Sequence, residues 1–540
     1  MKDISSTGSF INFYLNNYIY VDKTKYIRDL IKLERVFISR PRRFGKSLTL
    51  DTIATLFETG VEPYFKGTWI YDKWTEPTYP VFRLSFLNLD NFSIDEFKSE
   101  LNSKITDFAN KISVKGYVEK SEPENSIEGL LERLREEKRQ IVFLIDEYDY
   151  QLTSNINNDD LYKQFQHKIK RFYANIKNKW AIKFLGITGV TRLKDVEIFS
   201  IGSDIRDITN ASAYSQMIGF TRDEIKKYYI DYLTIAASYE NNCSVDKVTD
   251  AQIESMLDMM AQNYDGYCFD EFYKKKVFST WSVNSFFQSI IENKFVYFDE
   301  YWYDNGGLPS ILVNYLKTHE LNIFEYLDKD KFLKVSSDDF KNPTALTTIN
   351  QNVLMCQTGY LTLRSDLNKT STVALGIPNG EIYKALNRLL ANNIFKGNTD
   401  ITDDYGRSLL EVGTVDDIIN LFNSALNSVS YDNYPIVSES SVQNMLKLYL
   451  LGAHQEVLSE VHEAKGRADL VVNTDNKRIV FEFKYAKNET EAKSKLSEAV
   501  EQIKSRDYGN ILPKKNELLR IAAVFNADPK VRAFTEYQEV

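Results

Sequence analysis

The chain has 540 residues and a mass of 62.7 kDa, which at about 100–200 residues per domain implies three or four units. Hydrophobic residues make up 43% and charged residues 26%, a globular balance that excludes disordered, collagen-like and coiled-coil chains. No apolar run approaches the ~18–20 residues of a membrane-spanning helix. The net charge of −9 excludes a polycationic nucleic-acid binder, so any chemistry on nucleic acid must come from a local site. The opening Met1-Lys2-Asp3-Ile4-Ser5-Ser6 has no apolar signal core, and three scattered cysteines with four unpaired histidines offer neither a disulfide framework nor a Cys/His zinc cage. A reducing cytoplasm and no membrane attachment are therefore expected.

In chain order, four short β-branched or aromatic runs alternate with amphipathic stretches up to about residue 220. They are Arg35–Ser39, Val81–Phe86, Ile141–Ile145 and Ile182–Thr188, and the alternation predicts a parallel sheet flanked by helices. Thr221 and Glu224 form a capping-box pattern that predicts a helix over Thr221–Ala237. The chain then reads as mainly helical and aromatic to about residue 335. Over 336–430, helices accompany a hairpin, Gly359–Leu363 answered by Thr372–Leu375, in the manner of a small winged-helix unit. After Tyr434-Pro435 comes a helix, three strands (Glu456–His462, Ala468–Val472, Ile479–Lys484) and a helix over Glu491–Lys504. The expected divisions are 1–220, 221–335, 336–430 and 431–540.

The first strand runs into Arg40-Pro41-Arg42-Arg43-Phe44-Gly45-Lys46-Ser47, and a helix is expected over Leu48–Glu58. A strand–loop–helix ending in Gly-Lys-Ser cradles phosphates on backbone N–H groups, brings Lys46 to the β- and γ-oxygens and offers the Ser47 hydroxyl to Mg²⁺. Arg40 stands where the usual first glycine would be, and Arg40, Arg42 and Arg43 together are expected to surround the crevice with positive charge. The third strand ends in Asp146-Glu147, the arrangement in which Asp146 holds Mg²⁺ through water and Glu147 polarises the attacking water. The fourth strand ends in Thr188-Gly189-Val190-Thr191-Arg192. Thr188 is placed to sense a γ-phosphate, and Arg192 either reaches the phosphates or pairs with a neighbouring carboxylate.

These motifs, with Tyr20-Val21-Asp22-Lys23-Thr24, Tyr79-Pro80-Val81, Ile218-Gly219-Phe220-Thr221, Tyr264-Asp265-Gly266-Tyr267 and Tyr301-Trp302, resemble the bacterial AAA-ATPase-like family. The resemblance spans nearly the whole chain, accounts for an arginine at the first loop position and implies an α/β P-loop NTPase (AAA/STAND-like) domain, ATP as ligand and a nuclease-fold tail. Ser279-Thr280 departs from the family, which has Asn-Pro there. The aromatics around Tyr264, Tyr267, Trp281 and Tyr301–Tyr303 read first as core of a helical lid and second as a base-stacking platform.

In the tail, Glu482 and Lys484 share one strand face while Phe481 and Phe483 take the other. Antiparallel pairing with the preceding strand brings Asp469 to the Glu482 face, so that two carboxylates on a solvent-open surface bind Mg²⁺ and Lys484 orients water or stabilises phosphate charge. Asp-x(12)-Glu-x-Lys, after Gly466-Arg467-Ala468, resembles the restriction-endonuclease-like PD-(D/E)xK superfamily, with Ala468 in place of the proline. The resemblance implies a further acid, Glu439 or Glu460, and a Gln502/Tyr508 pair at wider than usual spacing. His454 and His462 are read as bystanders. From Tyr431 to Val540, 16 Lys/Arg face 17 Asp/Glu, which argues against tight nonspecific duplex binding by the tail alone. The combined expectation is an ATP-controlled, Mg²⁺-dependent nuclease acting on nucleic acid, with DNA preferred over RNA and self-association as an option. Its rivals are a nucleotide switch whose tail binds nucleic acid or protein without cutting, and an ATP-dependent remodeller with a vestigial tail.

Overall fold

The computed structural model describes residues 1–177, 179–193, 204–302, 310–316, 319, 323–343, 345–395, 405–453, 455–463, 466–474, 476–509 and 517–540. The chain divides into two compact units, one made of 1–321 with 330–382 and the other of 322–329 with 383–540.

In the first unit, strands β1 (Arg35–Ser39), β2 (Val81–Ser85), β3 (Ile141–Asp146), β4 (Ile182–Gly189) and β5 (Arg206–Asp207) form one sheet in the order β2-β3-β4-β1-β5. Every pairing is parallel. β1 and β3 are buried almost throughout, as strands covered on both faces must be. The two-residue β5 carries too little pattern to be read from sequence. β4 separates β1 from β3, so the tip of β4 lies between the loop after β1 and the acids ending β3.

The helix after the loop is Lys46–Thr59, and its residues Leu50, Ile53, Ala54, Leu56 and Phe57 are buried. The capping box forms as expected, with Thr221 Oγ accepting from Glu224 N–H and Glu224 returning the bond to Thr221 N–H. One helix becomes two, Arg222–Tyr228 and Ile230–Glu240. The break is at Tyr229, whose φ of −114° and ψ of 21° leave the helical region while its hydroxyl donates to Asn284 Oδ1 at 2.6 Å. These helices pack with Asp250–Tyr264 and Thr280–Asn293 around Leu233, Met256, Leu257, Tyr264, Phe286 and Phe287. Tyr264, Tyr267 and Trp302 are buried, the core reading of the lid aromatics; Tyr303 lies outside the described residues. The predicted hairpin appears as β7 (Thr362–Leu363) against β8 (Thr372–Gly376), with an unforeseen third strand β6 (Leu333–Ser336) on the far side of β8.

The second unit holds a five-stranded mixed sheet, β13-β12-β11-β10-β9, of β9 (Glu456–Glu463), β10 (Gly466–Asn473), β11 (Lys477–Ala486), β12 (Glu517–Asn526) and β13 (Ala533–Glu539). β9, β10 and β11 pair antiparallel, β11 and β12 parallel, and β12 and β13 antiparallel. The helix Glu489–Arg506 supplies the crossover between β11 and β12 and packs Ala499 and Ile503 against Val480. Phe481 and Phe483 face the other way, toward Phe422 and Phe534.

Candidate functional site

At the C-terminal ends of β1, β3 and β4 the sequence motifs of the first unit meet. Gly45 has φ +99°, a left-handed conformation that favours glycine, and it caps the helix that opens with Lys46 and Ser47. Ser47 Oγ donates to Asp146 Oδ2 at 2.6 Å, and Thr188 Oγ donates to the other oxygen, Oδ1. The backbone N–H of Glu147, itself at φ +49°, also donates to Asp146 Oδ1, at 2.9 Å. Asp146 thereby ties together the loop, the tip of β4 and its own strand end. Lys46 is 6% exposed, and its ammonium donates to the carbonyls of Arg40 and Pro41 at 2.9 Å each. Burial pulls its pKa down, against the opposing pull of Asp146 and Glu147. Burial likewise raises the Glu147 carboxyl above its ordinary range, partly offset by Lys46. A carboxylate so placed is a better proton acceptor than a solvated one.

A cavity of about 510 Å³ lies over this cluster, a volume suited to a nucleotide. Its polar lining includes Arg42, Arg43, Gly45–Ser47 and Glu147, and its apolar lining Ile19, Val21, Met217, Ile218, Phe220 and the Trp281 ring. The Tyr20–Thr24 segment is stapled from behind: Lys23 donates to Glu224 and to Gln216 O at 2.8 Å, and Asp22 accepts from Thr24 N–H at 2.9 Å and Trp69 N–H at 2.6 Å.

The loop's side chains depart from expectation. Arg40 does not add charge to the crevice. It is 1% exposed, donates to Ser39 O at 2.9 Å and Thr209 O at 2.6 Å, and lies 4.1 Å from the Phe269 ring centroid. Burial lowers its pKa to about 9. Arg192 is engaged by Asp207 of β5 and lines a separate small cavity with Arg40, so it takes the carboxylate of the two options and not the phosphates. Arg43, at φ +68°, lays its guanidinium 4.0 Å from the Trp281 centroid. The loop backbone is also clamped from afar. Arg42 O accepts from Trp302 Nε1 at 3.2 Å, Arg43 O accepts from Thr280 Oγ at 3.0 Å, and Phe44 meets the Tyr267 ring edge-on at 4.7 Å. A side chain at Gly359 would come within 2.9 Å of Pro41 Cβ. Asp149 stands two residues beyond the acid pair. Its carboxylate accepts from the N–H groups of Val190 (3.2 Å) and Thr191 (2.6 Å), and so shapes the turn after β4.

In the second unit, the Leu470–Phe481 pairing sets Asp469 and Glu482 next in register across β10 and β11. Asp469 Oδ2 accepts from Phe483 N–H at 2.8 Å, and Asp469 O accepts from Gln443. Lys484 Nζ donates to Glu482 Oε1 at 2.7 Å and to Glu439 Oε1 at 3.4 Å. The expected solvent-open face is instead covered, with Glu482 0% and Lys484 6% exposed, because the helix Glu489–Arg506 closes over the Val480 side of the sheet. Burial, reinforced by Asp469, pushes the Glu482 carboxyl up to about 7. Burial opposes the charge on Lys484, but Glu482, Glu439 and Asp469 outweigh it and raise its pKa. Glu482 Oε2 is buried without a hydrogen-bond partner, next to a second carboxylate, which fits a hard cation. Among the described residues no group of three or more His, Cys, Asp and Glu forms a closed cage, so a Mg²⁺ here would complete its shell with water or substrate oxygens. Glu439 is the acid beside Lys484; the side chain of Glu460, that of His462, and His454 fall outside the described set. Gln502 and Tyr508 do meet, at 3.4 Å, and Arg506 donates to the Tyr508 hydroxyl at 2.8 Å.

A Gly-Lys-Ser loop on a parallel α/β sheet and a paired carboxylate–lysine strand on a mixed sheet define the two units. Comparison with known proteins agrees: residues 5–199 match the family described as "Predicted AAA-ATPase", and residues 437–534 match the PD-(D/E)XK nuclease superfamily. The chain therefore carries an AAA-ATPase-like domain followed by a PD-(D/E)XK superfamily domain. It is 25% identical over 530 residues, 95% of this chain and 94% of the other, to a protein of Azotobacter chroococcum mcd 1 described as an uncharacterized protein in the vnfD 5′ region. Two solved structures are matched at 11% identity. They are Cdc6p from Pyrobaculum aerophilum (68% of this chain, 92% of that one, TM-score 0.21) and Aeropyrum pernix Orc1 in complex with DNA (71% and 97%, TM-score 0.25).

Proposed function

We propose that the protein binds and hydrolyses ATP in its first unit and uses the nucleotide state to control Mg²⁺-dependent phosphodiester cleavage by its second. The observation that supports the reading best is the Asp146 cluster. One carboxylate is shared by the loop serine and the β4 threonine, beneath a nucleotide-sized cavity. In the ATP site, Arg43, Gly45 and Lys46 hold the phosphates, Ser47 and Asp146 hold Mg²⁺, Thr188 senses the γ-phosphate and Glu147 takes the water's proton. In the tail, Asp469 and Glu482 hold Mg²⁺, Lys484 orients the attacking water and Glu439 completes the acid set. The proposed division is an ATPase domain over 1–220, a helical lid over 221–335, a connector over 336–430 and the nuclease domain over 431–540. The substrate is DNA in preference to RNA, and self-association in the cytoplasm would supply the grip that the near-neutral tail lacks.

The test is cleavage of duplex, single-stranded and branched DNA and RNA with Mg²⁺ or Mn²⁺, in the presence of ATP, ADP or no nucleotide. Metal-dependent cutting that changes with nucleotide supports the reading; no cutting under any condition rejects it. A second reading, a nucleotide switch whose tail binds a partner without cutting, draws on the Lys484–Glu482 bond, since an ammonium already occupies one oxygen of the would-be metal ligand.

A further inference from the structure

Three arginines within four residues of the phosphate loop have three different fates. Arg40 is sunk against Phe269 and two backbone carbonyls, and Arg43 is stacked on Trp281. Arg42 is different. Among the described residues no hydrogen bond, ion pair or ring contact holds its guanidinium, although its carbonyl is fixed by Trp302 Nε1 at 3.2 Å. The side chain therefore extends from an anchored base. It is half-buried and lines the same cavity as Lys46, Ser47 and Glu147. An unpaired guanidinium that lines one cavity with a lysine is an arrangement an anionic ligand would complete.

Resting on the ATP reading above, we infer that Arg42 contacts the γ-phosphate of a bound nucleoside triphosphate and acts as a catalytic residue. It is an arginine finger supplied by the phosphate loop itself. The γ end is singled out because Glu147, read above as taking the water's proton, lines the cavity with Arg42, while Ile19, Val21 and Phe220 give the same cavity an apolar lining suited to a base. In the step, the water oxygen bonds to the γ-phosphorus as the bond from that phosphorus to the β–γ bridging oxygen breaks. The breaking pair goes to the ADP oxygen, and the water's proton passes to Glu147. Arg42 neutralises charge on the γ-oxygens as they spread toward the transition state.

The experiment measures calorimetric affinities of the full chain for Mg-ADP and for the slowly hydrolysed Mg-ATPγS, and separately the ATP turnover rate, for wild type, Arg42→Ala, Arg42→Gln and Arg42→Lys. In Arg42→Ala and Arg42→Gln, ADP affinity should stay within about twofold while triphosphate affinity falls about tenfold or more, the loss expected for a charge-assisted hydrogen bond. Turnover should fall by roughly 10³-fold. Arg42→Lys should restore the preference for triphosphate but little of the turnover, because a point charge lacks the planar fork. Equal losses of ADP and triphosphate affinity would make Arg42 a structural support and overturn the inference, as would unchanged preference and turnover. A wild type that binds neither nucleotide would overturn the ATP reading itself, and this one with it.

Discussion

Glu381 opens the helix Gly380–Ile394 and is 2% exposed. Its carboxyl accepts from Trp302 N–H at 2.8 Å and lies 2.8 Å from Ser282 Oγ, which is itself 3.0 Å from Ser279 Oγ. Burial raises its pKa to about 8, the two hydrogen bonds offset part of that rise, and Glu300 and Asp299 add to it. Between its ordinary 4.5 and about 8, the folded chain keeps a proton that the unfolded chain has released. The slope of unfolding free energy against pH is therefore negative. The contribution is complete below the unfolded value, drains away as pH rises to about 8 and changes no further above it. At about 1.36 kcal/mol per pH unit, the loss is on the order of 5 kcal/mol. Glu381→Gln keeps both contacts, with its carbonyl accepting from Trp302 N–H and its amide donating to Ser282, but carries no charge at any pH. All five tryptophans lie in the first unit, so urea unfolding followed by tryptophan fluorescence reports on that unit alone. The wild type and variant should have similar midpoints at pH 5 and diverge steadily toward pH 8, with the variant the more stable. Other groups titrate alike in both proteins, so the difference isolates Glu381. Parallel midpoints from pH 5 to 8 would refute the reasoning.

Lys46→Ala should abolish or greatly weaken ATP binding, while Glu147→Gln should keep binding and slow turnover by orders of magnitude; calorimetry and phosphate release check the two halves. Asp469→Asn and Glu482→Gln should each remove Mn²⁺-dependent cleavage without unfolding the tail, measured by gel assay and circular dichroism. Lys484→Ala should retain calorimetric Mn²⁺ binding yet lose cleavage. Cleavage by the full chain should differ between ATP, ADP and no nucleotide, and Glu147→Gln should hold it in the ATP-state value; identical rates throughout would make the two sites independent.

The four main strands, the Gly-Lys-Ser turn and the Asp146-Glu147 strand end were legible because each is local: a run of β-branched residues, a turn residue and a strand terminus within a few positions. The pairing of Asp469 with Glu482 followed from a side-chain period of two. What eluded the sequence depends on distant partners. An arginine in a loop reads as solvated charge, and only Phe269 and the Thr209 carbonyl reveal that Arg40 is a core residue. Arg192 offered two partners, and the choice lay with Asp207 on a strand too short to announce itself. The burial of Glu482 was missed because Glu-x-Lys alternation looks the same on a wet face as beneath a covering helix. Glu381 had no motif at all and is defined by Ser282 and Trp302, whereas Arg42 read only as general positive charge in the loop and stands apart because, among the described residues, no hydrogen bond or ion pair holds its guanidinium.

The clamping of the phosphate loop bears on how the protein is made. A glycine-rich loop needs only its own strand and helix, which leave the ribosome within a few residues of each other. Here residues 42–44 are held by Tyr267, Thr280, Trp281 and Trp302. At roughly 5–20 residues per second, the last of these is synthesised tens of seconds after the loop. Once Arg206–Asp207 has been made, the nascent chain has every strand of its sheet but not yet the partners that fix the loop. The loop of the AAA-ATPase-like domain thus takes its shape late, not long before the tail is translated, and a nascent chain released before Trp302 would carry Gly-Lys-Ser without the contacts that clamp its loop.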